Sequence, residues 1–326
     1  MSENAFNLRS KEDLCVMKIS GLIEDTITDF DIYIEVGGYI VLYAPCPYRW
    51  SKSELGRLHN DGHGDLYYNK SDVSKVSAYL RIGRLPLINN DLPPEDRISN
   101  ITDVAADLTR ILFEHPITEL TIIKGKEIAE SLVDCVNEDI FCVRALTSLS
   151  QHDQYTYYHS ARVSAYALAI AFKMSQKDEG LLQDLALGCL LHDVGKIKVG
   201  QEIINKSGPL TDKEWATMKK HPEFGSKMIN ESLLSLVPAE IILHHHERQD
   251  GKGYPHGLVD KEIIEEVKIA AFADVYDALT SNRPYQVKRT CFEALNFMKF
   301  HLAENLHKNS YKAMVEILAE RDSAKS

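Results

Sequence analysis

The sequence predicts an α+β protein, a small α/β N-terminal domain followed by an all-α helical bundle. Three observations predict it. DIYIEVGGYIVLYA (31–44) alternates apolar and polar positions about a Gly-Gly pair, which is a hairpin pattern. PLINNDLPPEDRISN (86–100) is a Pro- and Asn-rich connector, and it marks the domain boundary. From Ile101 onward the apolar period is helical and stays so.

Element by element, residues 32–36 and 39–44 read as paired strands turned at Gly37-Gly38, and DLYYNK (65–70) as a further strand. SDVSKVSAYLRIG (71–83) reads as a helix. Ile101, Val104, Ala105, Leu108 and Leu112 fall at helical spacing behind an Asn100 cap. Residues 126–150 read as one long helix leading into the bundle. Further helices are expected over 155–174, 178–193, 211–220, 222–235, 238–247, 261–280, 290–305 and 310–321. The domain layout is thus 1–98, a helical linker 99–146, and 147–326.

Composition narrows the function classes. The chain has 326 residues and a net charge of −11. Up to Gly125 there are 13 basic and 19 acidic residues, and after it 24 and 29, so neither half is a basic module. Nucleic acid is therefore not expected as a partner. An anionic substrate needs a local cluster of Lys and Arg. No membrane helix is expected, because the best apolar run, Val163 to Phe172, is stopped by Arg162 and Lys173. The six cysteines show no CxxC pair, and the N-terminal segment has no apolar signal core. Reduced thiols and a cytoplasmic location are the expectation.

The chemistry lies in histidines and aspartates spread over five helical segments. His192 and Asp193 adjoin in LLHDVGKIKVG (190–200), with Lys196 one helical turn on. A carboxylate can bridge two ions, whereas an imidazole cannot. His159 lies in YTYYHSARVSAYALA, and His221 opens a helix in KKHPEFG, where Pro222 suits the first turn. LHHHERQDGKGYPHG (243–257) carries three consecutive histidines. Helical residues are ~100° apart, so spacing alone permits 244/245 or 245/246 as a ligand pair. Asp274 has Ala270, Ala271 and Ala278 as near neighbours, and such an aspartate is costly to bury unless paired or metal-bound. Bundles aim ligands into their core from several helices in this way.

HS.RVS.YA, LLHDVGK, HPEFG, HHERQDGKGYPHGL and ADVYDALTSNRPY, in that order, resemble the HD-GYP family of cyclic dinucleotide phosphodiesterases. The resemblance spans roughly residues 150–290. It implies a helical metalloenzyme that hydrolyses cyclic di-GMP to linear pGpG, in some members on to GMP. It implies His159, His192, Asp193 and Asp274 around one metal, with Asp193 bridging to a second held by His221, His245 and His246. The motif's register selects His245 and His246 and leaves His244 spare. Three-metal members carry a Glu where this chain has Tyr155, and a phenol is a poor ligand near neutral pH. Two divalent transition-metal ions are expected, iron or manganese first, with zinc or nickel as other fits.

A hydroxide bridging two ions ~3.5–4 Å apart would attack phosphorus in line with the leaving ribose oxygen. Lys196 would stabilise the phosphoryl charge. Tyr254, set by the Gly253-Tyr254-Pro255 turn, is expected to contact the nucleotide. Gln286 stands where relatives often have a basic residue after RPY, so phosphate contacts fall on Arg283 and Lys288. Glycines 251 and 253 are expected to use positive φ and close approach. Glu247 and Asp277 read as residues that orient ligands or as solvated helix positions. His152, His256, His301 and His307 read as surface residues.

The alternative activities are hydrolysis of cyclic GMP-AMP or pGpG, or an idle nucleotide-binding adaptor. The N-terminal domain is expected to regulate or dock partners, diguanylate cyclases or other signalling proteins, through the 126–150 helix and homodimerisation.

Overall fold

The computed structural model describes residues 11–86, 88–147, 155–206, 208–229, 233–281, 288–303 and 307–319. Cα packing divides the chain into two units: Met1–Leu85 with Ile111–Lys124, and Pro86–Arg110 with Gly125–Ser326.

The first unit is built on strands β1 (Leu14–Lys18), β2 (Ile27–Thr28), β3 (Ile32–Val36), β4 (Tyr39–Ala44), β5 (Tyr48–Arg49) and β6 (Asp65–Asn69). Its helices are α1 (Lys52–Asn60) and α2 (Val73–Ile82). The main sheet has the order β1-β6-β3-β4 with antiparallel neighbours, and β2 pairs with β5. Gly37 and Gly38 both take positive φ, 57° and 85°, which makes the β3–β4 turn affordable only to residues without a Cβ penalty. Phe30, Ile32, Trp50, Leu66 and Tyr79 form the buried centre of this unit. Ser51 starts α1 with a capping box to Glu54.

The remaining helices are α3 (Pro94–Glu114), α4 (Glu119–Glu138), α5 (Tyr155–Lys173), α6 (Glu179–Leu191), α7 (Gln201–Ile204), α8 (Asp212–Met218) and α9 (His221–Met228). They continue with α10 (Leu236–His244), α11 (Glu265–Thr280), α12 (Cys291–His301) and α13 (Lys308–Ala319). α5 is the centre of the second unit. Ala161, Val163, Ala165 and the run Ala167–Ala171 are all at most 1% exposed, because α6 and α11 pack on either side of it. A helix apolar all round is buried all round.

Several expected helix limits move: 222–235 stops at Met228, 238–247 at His244 and 290–305 at His301, and two further shifts have a visible cause. α3 starts at Pro94, not behind Asn100, since a proline in the first helical turn has no amide to leave unpaired. Asn100 is inside the helix, and its Oδ1 accepts the Asn89 amide instead, bracing the connector. The long helix expected over 126–150 also divides. α4 begins earlier and stops at Glu138, where the Asp139 carboxylate accepts the Phe141 amide and turns the chain into a 3-10 segment, Ile140–Thr147. Cys135 and Cys142 face each other across that break, Sγ to Sγ 4.0 Å, as buried thiols.

Candidate metal centre

The site is assembled where the end of α6 meets α9, α10, α5 and α11. His192 ends α6, and Asp193 begins the tight 3-10 turn Val194–Lys198. That turn lies directly on α9. A Cβ added to Gly195 would sit 1.9 Å from the His221 carbonyl oxygen and 2.4 Å from the Gly225 amide, so only glycine lets the two segments cross. The crossing brings His221 to the aspartate.

Asp193 sits at the middle. Its Oδ1 lies 3.3 Å from His221 Nε2 and 3.9 Å from His245 Nε2. Its Oδ2 lies 3.4 Å from His192 Nε2 and 3.7 Å from His159 Nε2, and accepts from Lys196 Nζ. Two donor groups therefore share one carboxylate: Asp193, His221, His245 and His246 on one side, His159, His192 and Asp193 on the other. Within each group the donor atoms lie within 4.8 Å of one another. Asp274 Oδ1 is 3.1 Å from His159 Nε2, and its Oδ2 is 4.0 Å from His246 Nδ1, so it closes the cluster from α11. All seven expected ligands and Lys196 are thus together.

The far nitrogens explain the orientation of the near ones. His192 Nδ1 donates to the Cys189 carbonyl at 2.7 Å, His221 Nδ1 to Met218 at 2.8 Å, and His245 Nδ1 to Ile241 at 3.1 Å. With the proton on Nδ1, each ring turns a lone pair on Nε2 inward. His159 Nδ1 is held by Asp277 Oδ2 at 2.7 Å. Asp277 is fully buried and forked by Arg162, Nε to Oδ1 at 2.6 Å, with Ser281 Oγ donating to the same oxygen. Its role is to orient His159, and it is no solvated position.

The donor set suits a metal. His192 Nε2 and Asp193 Oδ1 are buried with no hydrogen-bond partner among the described residues, a costly arrangement unless a cation accepts their lone pairs. Imidazoles with carboxylates are borderline donors that favour transition metals over calcium or magnesium.

Electrostatics agree. Burial depresses His221 to about 3 and His246 to about 4, and holds His245 well below its ordinary value. All three are neutral at pH 7, the form in which an imidazole can bind a metal. His192 differs: burial works against its charge, but the Asp193 carboxylate outweighs burial and raises it. Burial also disfavours the charged form of Asp193 and Asp274. For Asp193, His192 and Lys196 reverse this, and for Asp274 it is His159, so both carboxyls sit well below their usual range.

A pH dependence of stability follows for the metal-free protein. Unfolded histidines titrate near 6.5, while folded His221, His245 and His246 do not until the pH is far lower. The unfolded state therefore binds more protons between about pH 6.5 and 4, and stability falls as pH falls through that window. Each histidine contributes up to about 1.4 kcal/mol per pH unit. The raised His192 acts only above its unfolded value, where its stabilisation is lost as pH rises. Denaturant midpoints of chelator-treated protein at pH 7, 6 and 5 check this; a flat profile contradicts it.

The GYP turn is anchored by Glu247, 5% exposed, whose carboxylate accepts the amides of His256, Gly257 and Leu258 at 2.6, 3.0 and 3.0 Å. Gly251 supplies the positive φ of 72°. Gly253 supplies close approach, since a Cβ there would meet the Glu247 Cα at 2.5 Å. The Tyr254 ring then lies against His246, centroids 4.7 Å apart and tilted 33°, and burial pushes its phenol up, so it remains a neutral O–H. Glu247→Ala is expected to loosen this turn, costing about 1–3 kcal/mol by leaving three amides unpaired, with a larger loss of substrate affinity than of bound metal. Thermal unfolding, KM and metal content separate these.

Other expectations distribute unevenly. His244 is outside the donor groups, paired with Glu240 at 2.8 Å and with His256 at 3.0 Å. His307 is no surface residue; its side chain is 10% exposed, lies 3.2 Å from Glu265 and lines a cavity beside the site. Lys288 is half-buried on the loop before α12 and does not line that cavity. Arg283, Gln286, His152 and the Tyr155 side chain lie outside the described residues. Sequence reasoning missed the role of Arg162, although it stands in the first motif, because its partner is 115 residues away. It also missed Trp215 and Phe272, which line the cavity and carry no polar signature.

Residues 146–306 match the family model described as HD domain. This segment is an HD domain. It carries the HD-GYP motifs in order. The chain is similar to the cyclic di-GMP phosphodiesterase PA4108 of Pseudomonas aeruginosa, 38% identical over 52% of this chain and 42% of that protein. It is also similar to the 3'3'-cGAMP-specific phosphodiesterase 3 of Vibrio cholerae, 35% identical over 47% of this chain and 32% of that protein. The chain thus spans less than half the length of these relatives. In fold it resembles Bd1817, a HDG"Y"P protein from Bdellovibrio bacteriovorus, with a TM-score of 0.62 at 21% identity over 94% of this chain and 100% of that one. No helix among the described residues is long and apolar enough to cross a membrane.

Proposed function

We propose that the protein is a metal-dependent phosphodiesterase that hydrolyses cyclic di-GMP to linear pGpG, and on to GMP if the linear product rebinds. The observation that carries this is the pair of donor groups sharing Asp193 inside an HD domain. The residues fit two divalent ions, iron or manganese first and zinc or nickel next. His159, His192, Asp193 and Asp274 would hold one, and Asp193, His221, His245 and His246 the other. The chemistry such a pair supplies when bound is activation of water at neutral pH and neutralisation of phosphoryl charge.

The chain's own residues do the rest. Asp193 fixes the spacing of the two donor groups through its two oxygens. Lys196, 23% exposed and already tethered to Asp193, presents a cation to the phosphoryl oxygens at the mouth. Tyr254 walls the site on the His246 side and fixes the nucleotide's orientation. Arg283 and Lys288 are assigned the outer phosphate contacts. In the reaction a water oxygen bonds to phosphorus as the bond to one ribose oxygen breaks, and that oxygen leaves with a proton.

The 3'3'-cGAMP-specific relatives support a second reading, hydrolysis of cyclic GMP-AMP by the same site. Regulation by the N-terminal unit, by diguanylate cyclases or by a second copy of the chain completes the proposal. The test is anaerobic purification, metal analysis, and turnover of cyclic di-GMP, cyclic GMP-AMP and pGpG. About two ions per chain with release of pGpG is the expected result. Metal near zero and no turnover of any of the three overturns it.

A further inference from the structure

A cavity of about 330 Å³ opens beside the metal centre in the second unit. His245, His246, Asp274 and Tyr254 all line it. One wall is apolar, from Ile263, Val267 and Phe272. Trp215, exposed on α8, also lines the cavity. Trp215 is 48% exposed, whereas the chain's other tryptophan, Trp50, is fully buried in the first unit. A half-exposed tryptophan costs burial energy unless something covers it.

The fold holds the residue in place. Thr211 caps α8 with a capping box to Glu214, and α8 ends at Met218, whose carbonyl holds the His221 ring. The helix that presents the indole therefore also orients a metal ligand, so the ring stands at a fixed place relative to the reacting phosphate. A largely apolar cavity with an exposed aromatic in its lining matches a nucleobase, because every base offers a π-face for stacking. Its volume is at the low end for ligand sites, which suits one base and its sugar and leaves the other half of a cyclic dinucleotide outside.

We propose that Trp215 is a substrate-binding residue that stacks on one purine of the cyclic dinucleotide and seats it in the cavity lined by Ile263, Val267 and Phe272. The proposal rests on the phosphodiesterase reading above. It separates base recognition, at Trp215, from the phosphate chemistry at Asp193 and Lys196. Discrimination against diesters without a base then arises at this wall.

The experiment uses the metal-loaded full chain with cyclic di-GMP. Trp215→Ala is expected to raise KM about tenfold or more with kcat within about threefold, the scale of losing one base–aromatic stack. Trp215→Phe is expected to recover most of that loss. Stopped-flow emission supplies a reading independent of turnover. Wild type is expected to show a rapid quench on mixing that precedes product and is missing in Trp215→Phe, since the buried Trp50 does not respond. Unchanged KM in Trp215→Ala while wild type turns over overturns the stacking role and leaves the phosphodiesterase reading intact. Absence of turnover in wild type, with the quench present, overturns that reading and leaves the base site standing. A quench equal in wild type and Trp215→Phe also overturns the stacking role.

Discussion

Replacing Asp193 with Asn or Ala is expected to lower kcat/KM on cyclic di-GMP by on the order of 10³-fold or more. Bound metal should fall from about two ions per chain to one or none. Asp193 is the one residue common to both donor groups, with Oδ1 facing His221 and His245 and Oδ2 facing His159 and His192. Asn matches its shape but offers one neutral oxygen, so it cannot serve both sides. The loss therefore extends beyond one ligand: the spacing between the two sites is no longer fixed, and Lys196 loses the carboxylate that tethers it. Metal analysis and initial rates on wild type, Asp193→Asn and Asp193→Ala decide this. A variant that keeps two ions or a tenth of the activity refutes the bridging role.

Asp277→Ala is expected to be the most destabilising single change near the site although the residue is no ligand. It removes the carboxylate paired with Arg162, which is 5% exposed at its side chain, and with the His159 Nδ1. Removing one partner of a buried pair costs about 3–5 kcal/mol, on the order of 10 °C in Tm for a unit of this size. Loss of a ligand-orienting carboxylate lowers metal affinity about 10- to 100-fold. Burial works against the Asp277 charge, but Arg162 and His159 outweigh it and hold the carboxyl at about 2, so the pair is charged throughout the ordinary pH range. The two effects can be separated. In Arg162→Met/Asp277→Leu the buried charges are gone, so much of the stability should return. Metal affinity should stay low, because the carboxylate that holds His159 Nδ1 is still missing. Calorimetry and metal titration of both variants check it; full recovery of metal binding in the double variant contradicts the orienting role.

The cluster of candidate donors was legible because metal chemistry restricts residue types. Neutral imidazoles and carboxylates in five ordered motifs leave few other readings, and the structure places all seven of those side chains around one centre. The strands around Gly37-Gly38 were legible for a similar reason, since positive φ at two successive positions selects glycine. Helix limits were less legible. Asn100 has the chemistry of a cap, yet Pro94 starts the helix and Asn100 serves the connector, because capping residues also satisfy distant amides. The break at Asp139 depends on one side-chain hydrogen bond that helical periodicity does not register.

The sequence by itself determined the chemistry of this protein: an α+β chain whose helical part carries donors for divalent metal, the pair His245–His246, and a glycine turn beside them. It could do so because ligand identity and backbone freedom are properties of single residues. Only the tertiary structure decided how those donors are divided about Asp193, that Arg162 and Asp277 hold His159, that Glu247 ties down the GYP turn, and that Trp215 lines one cavity with His245 and His246. Those are relations between side chains far apart along the chain. Their energies come from burial and paired charge, which exist only once the helices have packed.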